Sequence, residues 1–282
     1  MAELAGRRCV VTGATHGIGR ATAEALAARG AAVVIHGRDP AAVEAVRRSI
    51  AERTGNGAIS GAVADLGSLA DVRRLAAALA ADRIDVLVNN AGTMTSKRKT
   101  TADGFERTFG VNHLAPFLLT NLLLDTLRAS APARIVNVAS DAHRRASIDF
   151  ADLQSERTAY QGLRVYGVSK LANVLFTLEL ARRLAGTGVT ANCLHPGVVA
   201  TNIASDLGLG GTIFRIVGRW LLLSPLDGAA TPVYLAASPE VSGVTGKYFE
   251  RCRPVQPAPA ASDAAVAARL WDVSERLVGL RS

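Results

Sequence analysis

No apolar stretch in this chain approaches the ~20 residues that a membrane-crossing helix requires, which argues against a helical membrane protein. The N-terminus, Met1-Ala-Glu-Leu-Ala-Gly-Arg-Arg, lacks the apolar core of a secretory signal. Cysteine is scarce. Cys9, Cys193 and Cys252 cannot all pair and show no metal-ligand spacing, so neither a disulfide scaffold nor a metal centre is expected. Cys9 and Cys193 sit in apolar runs and read as buried thiols of a reducing cytoplasm. A soluble cytoplasmic protein is the expectation. Lysine is scarce too, at four of the 32 basic residues, and that Arg bias with abundant Ala fits a GC-rich bacterial genome. No dense basic tract is present. The formal charge of +8 suits attraction to anions, whether a phosphorylated cofactor, nucleic acid or an anionic membrane surface, but it is spread along the chain, which argues against nucleic acid and for an ordinary basic surface. No internal repeat and no Pro/Gly-rich linker divides the 282 residues, so a single domain with a substantial core is expected.

What is present is an alternation. Short β-branched or apolar runs lie near 8–12, 32–36, 57–63, 84–88, 133–138, 189–194 and 246–249. Amphipathic helical stretches near 17–29, 40–53, 68–80, 102–129, 160–185 and 227–237 fall between them. Such an order implies right-handed crossovers and a doubly wound parallel sheet of about seven strands, covered on both faces. The runs are apolar nearly throughout, as in Ile84-Asp-Val-Leu-Val, which suits strands buried on both sides. Pro254, Pro257 and Pro259 mark 253–262 as an extended arm, with a helix near 263–278 after it. The main domain is therefore placed at 1–252 and the tail at 253–282.

After the first run comes Thr12-Gly13-Ala14-Thr15-His16-Gly17-Ile18-Gly19. Glycines there allow a tight turn and close backbone approach to a pyrophosphate, whose charge the following helix N-terminus meets. The second run ends in Gly37-Arg38-Asp39. An NAD site usually puts a carboxylate near this point; glycine removes it, and Arg38 can bind a 2′-phosphate through its planar donors. NADP(H) is favoured over NAD(H) on that ground. The alternative is a solvated Arg38 beside an Asp39 that only caps the next helix. Asp65, followed by Leu66, closes the third run and either accepts from an adenine amino group or caps the helix near Ser68.

Tyr166 and Lys170 stand four apart in a helical stretch, on one face, 26 residues after Ser140. An ammonium beside a phenol favours the phenolate and lowers a pKa that starts near ~10. Such a pair is a candidate acid/base.

Thr12-Gly-x-x-x-Gly-x-Gly19, Asn89-Asn90-Ala91-Gly92, Ser140 and Tyr166-x-x-x-Lys170 occur in the order and strand-end positions of the short-chain dehydrogenase/reductase family, which the chain resembles over roughly residues 5–250. Asp152-Leu-Gln-Ser-Glu, Ser169-Lys-Leu-Ala-Asn-Val-Leu-Phe, His195-Pro-Gly-Val-Val, Gly246-Lys-Tyr-Phe and Arg269-Leu-Trp-Asp-Val-Ser are similar to its retinol-dehydrogenase-like branch. One departure is Ala139, where the branch commonly has Ser. The resemblance implies a Rossmann-type fold and hydride transfer between a nicotinamide and a substrate carbon. It implies that Tyr166 exchanges the proton, Ser140 holds the substrate oxygen, and Lys170 favours the phenolate and binds the ribose. Asn112 matches a helix asparagine that supports a water beside the lysine. Asn89, Ala91 and Gly92 are expected around the nicotinamide ribose, Pro196 and Gly197 to set Val198 against the nicotinamide, and Thr201 near the carboxamide or phosphates.

Residues 201–225, with Ile203, Leu207, Ile213, Phe214, Ile216, Trp220 and Leu221, match the family's substrate lid in position, and their apolar, Gly-punctuated composition suits a cover over an apolar ligand. An oligomer contact or shallow membrane association are the other readings of that segment. The insert 141–159 is expected to form the opposite rim, with His143 a solvated loop residue or a substrate contact. The expected function is an NADP(H)-dependent oxidoreductase acting on a hydrophobic alcohol, aldehyde or ketone. The alternative is a non-catalytic nucleotide sensor on the same scaffold. A homo-oligomer is compatible with either.

Overall fold

Parallel strands buried on both faces need apolar side chains in both directions, and the chain supplies them where the sheet forms. The computed structural model describes residues 3–197 and 224–281. Its strands are β1 (Arg8–Val11), β2 (Ala32–Gly37), β3 (Ile59–Val63), β4 (Val86–Asn89), β5 (Ala133–Val138), β6 (Val189–His195), β7 (Tyr248–Glu250) and β8 (Arg253–Val255). They form one sheet in the order β3-β2-β1-β4-β5-β6-β7-β8, parallel except for the β7–β8 pair. From β1 the chain winds outward through β2 and β3, then returns to β4 and winds the other way. The order reverses between β1 and β4, the point where a doubly wound sheet opens a crevice at its carboxyl edge.

Alternation along the strands builds two cores. Val10, Leu87 and Ile135 point into a layer with Phe109, Phe117 and Leu175. Cys9, Val11, Val86, Val88 and Val136 point into the other, with Leu26, Val46 and Leu235. Helices α1 (Gly17–Ala28) and α2 (Pro40–Thr54), with the helix Pro225–Ala237, cover the second face. Helices α3 (Leu69–Leu79), α5 (Ala115–Leu122) and α7 (Gly162–Arg183) cover the first. Among the described residues no helix is long and apolar enough to cross a membrane.

The expected helix over 102–129 is not continuous. It becomes α4 (Arg107–Phe109), a π-helical turn at Gly110–Leu114, α5, and α6 (Leu124–Ala129). Pro116 has no N–H to give the Asn112 carbonyl, and Ala115 N–H instead reaches back to Gly110 O, one residue beyond the α-helical partner. The expected extended arm is also more ordered than its prolines suggest. Arg253-Pro-Val forms β8, at the sheet edge where a strand tolerates proline. The helix Ala264–Leu277 then packs back on the body. Trp271 lies 4.9 Å, ring centre to ring centre, from Phe117 and under the Arg183 guanidinium at 4.2 Å. His113 Nε2 and Ser274 Oγ stand 2.9 Å apart, and Arg73 Nη2 donates to Val278 O at 2.6 Å.

At the amino edge of the sheet, Asp85 is only 1% exposed. Burial pushes its carboxyl up, but the Arg8 N–H and the Arg83 and Arg7 guanidinium groups outweigh it and hold the pKa below the usual carboxylate range. That contribution is complete above the unfolded carboxylate pKa and is lost as pH falls through the lower folded value. Replacing Asp85 with Ala should cost about 2–3 kcal/mol in urea unfolding at pH 7, shrinking as the measurement is taken into acid.

Candidate active site

The glycine turn between β1 and α1 admits no side chain at its closest points. A Cβ on Gly13, whose φ is +63°, would stand 2.8 Å from the Ala91 Cα, and one on Gly19 would overlap Asn90 Nδ2 and Gly13 O. α1 starts at Gly17 with no side-chain cap and no acid in its first turn, so its amide ends and dipole are left for an anion. Thr12 closes the gap between strands: its hydroxyl donates to Val88 O and accepts from Asn90 and Ala91 N–H at 3.0 and 3.1 Å. Asn90 Nδ2 donates to Thr12 O at 2.8 Å and to Gly13 O at 3.2 Å. His36 Nδ1 accepts from Gly13 N–H at 3.3 Å, which leaves Nε2 to donate to Ala64 O at 3.1 Å. Burial holds this imidazole below its ordinary pKa, consistent with a neutral ring stitching three strand ends together.

One crevice of about 630 Å³ runs from this turn across the carboxyl edge of the sheet. Thr15, His16 and Ile18 line it with the glycines of the turn. At the β2 end Arg38 is exposed and has no hydrogen bond or ion pair among the described residues. Asp39 caps α2 by accepting from Ala41 N–H at 2.9 Å, as the alternative reading had it. Asp65 and Leu66 line the crevice, with Asp65 Oδ1 accepting from Gly67 N–H at 2.8 Å. At the other end the wall is made by Ala91, Gly92, Ser140, Tyr166, Lys170, Pro196 and Gly197. Val198, Thr201 and positions 201–223 of the expected lid lie outside the described residues.

One expected residue sits elsewhere. Asn89 is the last residue of β4 and follows the strand alternation beneath the helices, donating to Thr120 Oγ1 at 2.9 Å and Asn137 Oδ1 at 2.8 Å. Its side chain does not face the crevice. Asn90, one residue past the strand, faces it instead. Asn112 is fully buried behind the wall, in the π-helical turn. It accepts from Thr93 N–H at 2.7 Å and donates to Thr93 O at 2.9 Å and Ser169 Oγ at 3.0 Å. A Cβ at Gly92 would meet Asn112 Oδ1 at 3.4 Å and Lys170 Nζ at 3.6 Å, so both polar heads converge on this backbone.

Lys170 is 3% exposed and donates to Val138 O at 2.8 Å, with its remaining donors available to the crevice. Burial lowers its pKa to about 8. Its Nζ lies 5.5 Å from the centre of the Tyr166 ring. Burial pushes the Tyr166 phenol up to about 12, with a hydrogen bond to Ser140 acting in the opposite direction. The expected lowering of the phenol by the ammonium is therefore not what the protein alone provides. Desolvation outweighs the Ser140 hydrogen bond, and at neutral pH the phenol keeps its proton, the state of a general acid.

His143, expected as a solvated or substrate-facing residue, is neither. It is fully buried, with Nδ1 2.7 Å from Ser140 O and Nε2 3.0 Å from Ala258 N. His36, Asn90 and Thr12 also escaped sequence reasoning as organisers of the turn. The available signal was position alone, since each stands at or just past the carboxyl end of a strand.

A glycine turn at a helix N-terminus, set at the reversal point of a doubly wound sheet, defines a dinucleotide-binding protein of Rossmann type. The family model for short chain dehydrogenase matches residues 7–209. The chain is 46% identical to human retinol dehydrogenase 13 over 288 residues, covering 100% of this chain and 87% of that protein. It is 45% identical to mouse retinol dehydrogenase 14, covering 98% and 86%. Among solved structures it superposes on a protein of Mycobacterium paratuberculosis with a TM-score of 0.81 at 37% identity, covering 98% and 94% of the two chains. The Pseudomonas aeruginosa RhlG/NADP active-site complex gives 0.70 at 30% identity, covering 87% and 94%. The chain belongs to the short-chain dehydrogenase/reductase family, in its retinol-dehydrogenase-like part, and is an oxidoreductase of CH–OH groups.

Because a Cβ at Gly19 overlaps both Asn90 and the turn, Gly19→Ala should weaken NAD(P)H binding at least about tenfold, some 1.4 kcal/mol, in a fluorescence titration. The far-UV circular dichroism should stay native.

Proposed function

We propose that this chain is an NADP(H)-dependent oxidoreductase that interconverts a hydrophobic alcohol with its aldehyde or ketone. The observation that carries the reading is that Ser140, Tyr166 and Lys170 share one wall of the crevice that begins at the glycine turn. The open glycine cradle and the uncapped α1 terminus fit a pyrophosphate, and the donors of Lys170 that Val138 leaves free fit the ribose hydroxyls beside it. When bound, the nicotinamide supplies or accepts the hydride.

The residues of the chain do the rest. Ser140 donates a hydrogen bond to the substrate oxygen and orients it toward Tyr166. In reduction, Tyr166 gives its proton to that oxygen as the carbon receives hydride, so carbonyl plus hydride plus proton makes the alcohol. In oxidation the same proton returns. At neutral pH the proton is on the phenol, ready for the first direction, and the second direction requires the phenolate to be stabilised. Lys170 contributes its charge to that stabilisation and anchors the ribose. Asn112 acts from behind, fixing the Gly92–Thr93 backbone and Ser169. Arg38, with no hydrogen-bond or ion-pair partner among the described residues, is assigned to the 2′-phosphate of NADP(H), and Asp65 and Leu66 to the adenine. Met94, Val111 and Leu163 give the crevice apolar wall, in keeping with an apolar substrate. No observation favours the non-catalytic sensor.

Loss of NADPH absorbance with a panel of apolar aldehydes and ketones tests the reading, and no turnover despite tight NADPH binding would overturn it. Tyr166→Phe should lower kcat by about 10²–10⁴-fold with NADPH affinity nearly unchanged. Arg38→Asp should weaken NADPH by about 2 kcal/mol while NADH binding barely moves; equal losses for both would remove the phosphate assignment.

A further inference from the structure

The catalytic wall is tied to the C-terminal arm through one imidazole. Ser140 stands two residues past β5 in extended conformation (φ −163°, ψ 154°), and the 3₁₀ turn Asp141–Arg145 follows at once. The Ser140 carbonyl accepts two hydrogen bonds from His143, one from its backbone N–H at 3.1 Å and one from ring Nδ1 at 2.7 Å. A carbonyl cannot donate, so Nδ1 carries the proton. Nε2 then has a free lone pair, which accepts from Ala258 N–H at 3.0 Å. Both ring nitrogens are used, and in one tautomer only. The ring is fully buried and packs 4.8 Å from the Tyr248 ring, itself 1% exposed. Burial holds the imidazole below its ordinary pKa, which agrees with the neutral form that this arrangement demands.

The turn is held from the other side as well. A Cβ at Gly167, the residue after Tyr166, would meet Ala142 O at 3.0 Å, so the turn lies directly on the tyrosine helix. Arg144 reaches Glu250 Oε1 at 2.9 Å on β7 and Gln256 O at 3.3 Å on the arm. The segment that starts at Ser140 is thus clamped between the Tyr166 helix and residues 256–258.

We propose that His143 is a positioning residue for the reaction: through its Nδ1 and Nε2 bonds it fixes the Ser140 backbone against the C-terminal arm, and so sets the approach of the Ser140 hydroxyl to Tyr166. The arm is then a working part of the active site, although none of its residues lines the crevice. The inference rests on the proposed function for its kinetic readout, and a spectroscopic one tests it independently.

Three substitutions separate it from a merely structural role. His143→Leu keeps bulk and loses both bonds. His143→Gln can donate to Ser140 O and accept from Ala258 N–H. Ala258→Pro deletes one N–H at a residue whose φ, −59°, already suits proline. His143→Leu and Ala258→Pro should each lower kcat with an apolar aldehyde by between about ten- and a hundredfold. NADPH affinity should stay within about twofold, a change of under about 0.5 kcal/mol. His143→Gln should recover most of the rate. In ¹⁵N-labelled protein without substrate, His143 should show a protonated Nδ1 and an unprotonated, hydrogen-bonded Nε2, with the Nε2 resonance shifting in Ala258→Pro.

Unchanged kcat in folded His143→Leu, or a Gln variant as slow as the Leu one, would overturn the proposal. If His143→Leu does not fold, Ala258→Pro decides, and normal kcat there overturns it. A protonated Nε2 in the wild-type spectrum overturns it whatever the activity. Absence of turnover in the wild-type protein would instead count against the proposed function, and leave the tautomer measurement to judge the bridge.

Discussion

Two parallel strands whose chains depart in opposite directions cannot both be followed by a helix over the same spot, and this constraint at β1 and β4 shapes the site. The opening between their carboxyl ends would expose backbone amides and carbonyls, and unmet buried groups of that kind are costly. Thr12 and Asn90 satisfy many of them with side-chain atoms, and His36 satisfies the next ones along. What remains open is the N-terminus of α1 and a surface of glycine backbone, both suited to a phosphate-bearing ligand. The cradle is a consequence of topology, finished by a few polar side chains.

The catalytic wall shows a second tension. Lys170 is buried and Tyr166 half-buried in the crevice wall, and desolvation moves each toward its neutral form. A single carbonyl, Val138 O, is the described partner of the ammonium. Such a site is under-satisfied by design of its surroundings, since a partner rich in hydroxyl groups and charge would complete it. This is why the simple pair argument, a cation lowering a neighbouring phenol, does not describe the protein alone: the ammonium stands 5.5 Å from the ring centre, and burial, opposed by the Ser140 hydrogen bond, sets the direction of the shift.

Much of the fold was legible because parallel strands buried on both faces are apolar without interruption, and the seven expected runs all became strands of one sheet. The eighth was hidden by Pro254, which is tolerated only because β8 sits at the edge. The break in the stretch 102–129 was visible in Pro116, but its resolution as a π-helical turn needed the bond from Ala115 to Gly110. In the site, the glycine turn, Ser140, Tyr166 and Lys170 could be found from spacing. The choice between Asn89 and Asn90 could not, because it depends on where β4 stops and which way its last side chain points. Nor could the burial of His143, because its partner Ala258 lies 115 residues away.

The amino-acid sequence by itself determined the alternation of elements, the glycine turn, and the chemical kinds of group that could move a proton. These are local properties, set by periodicity, backbone freedom and residue chemistry over a few positions. Tertiary structure alone decided which of those groups face one crevice, which are turned beneath the helices, and what charge each prefers. Those outcomes depend on desolvation and on hydrogen bonds between strand ends, turn and C-terminal arm, contacts that form only when distant segments are packed together.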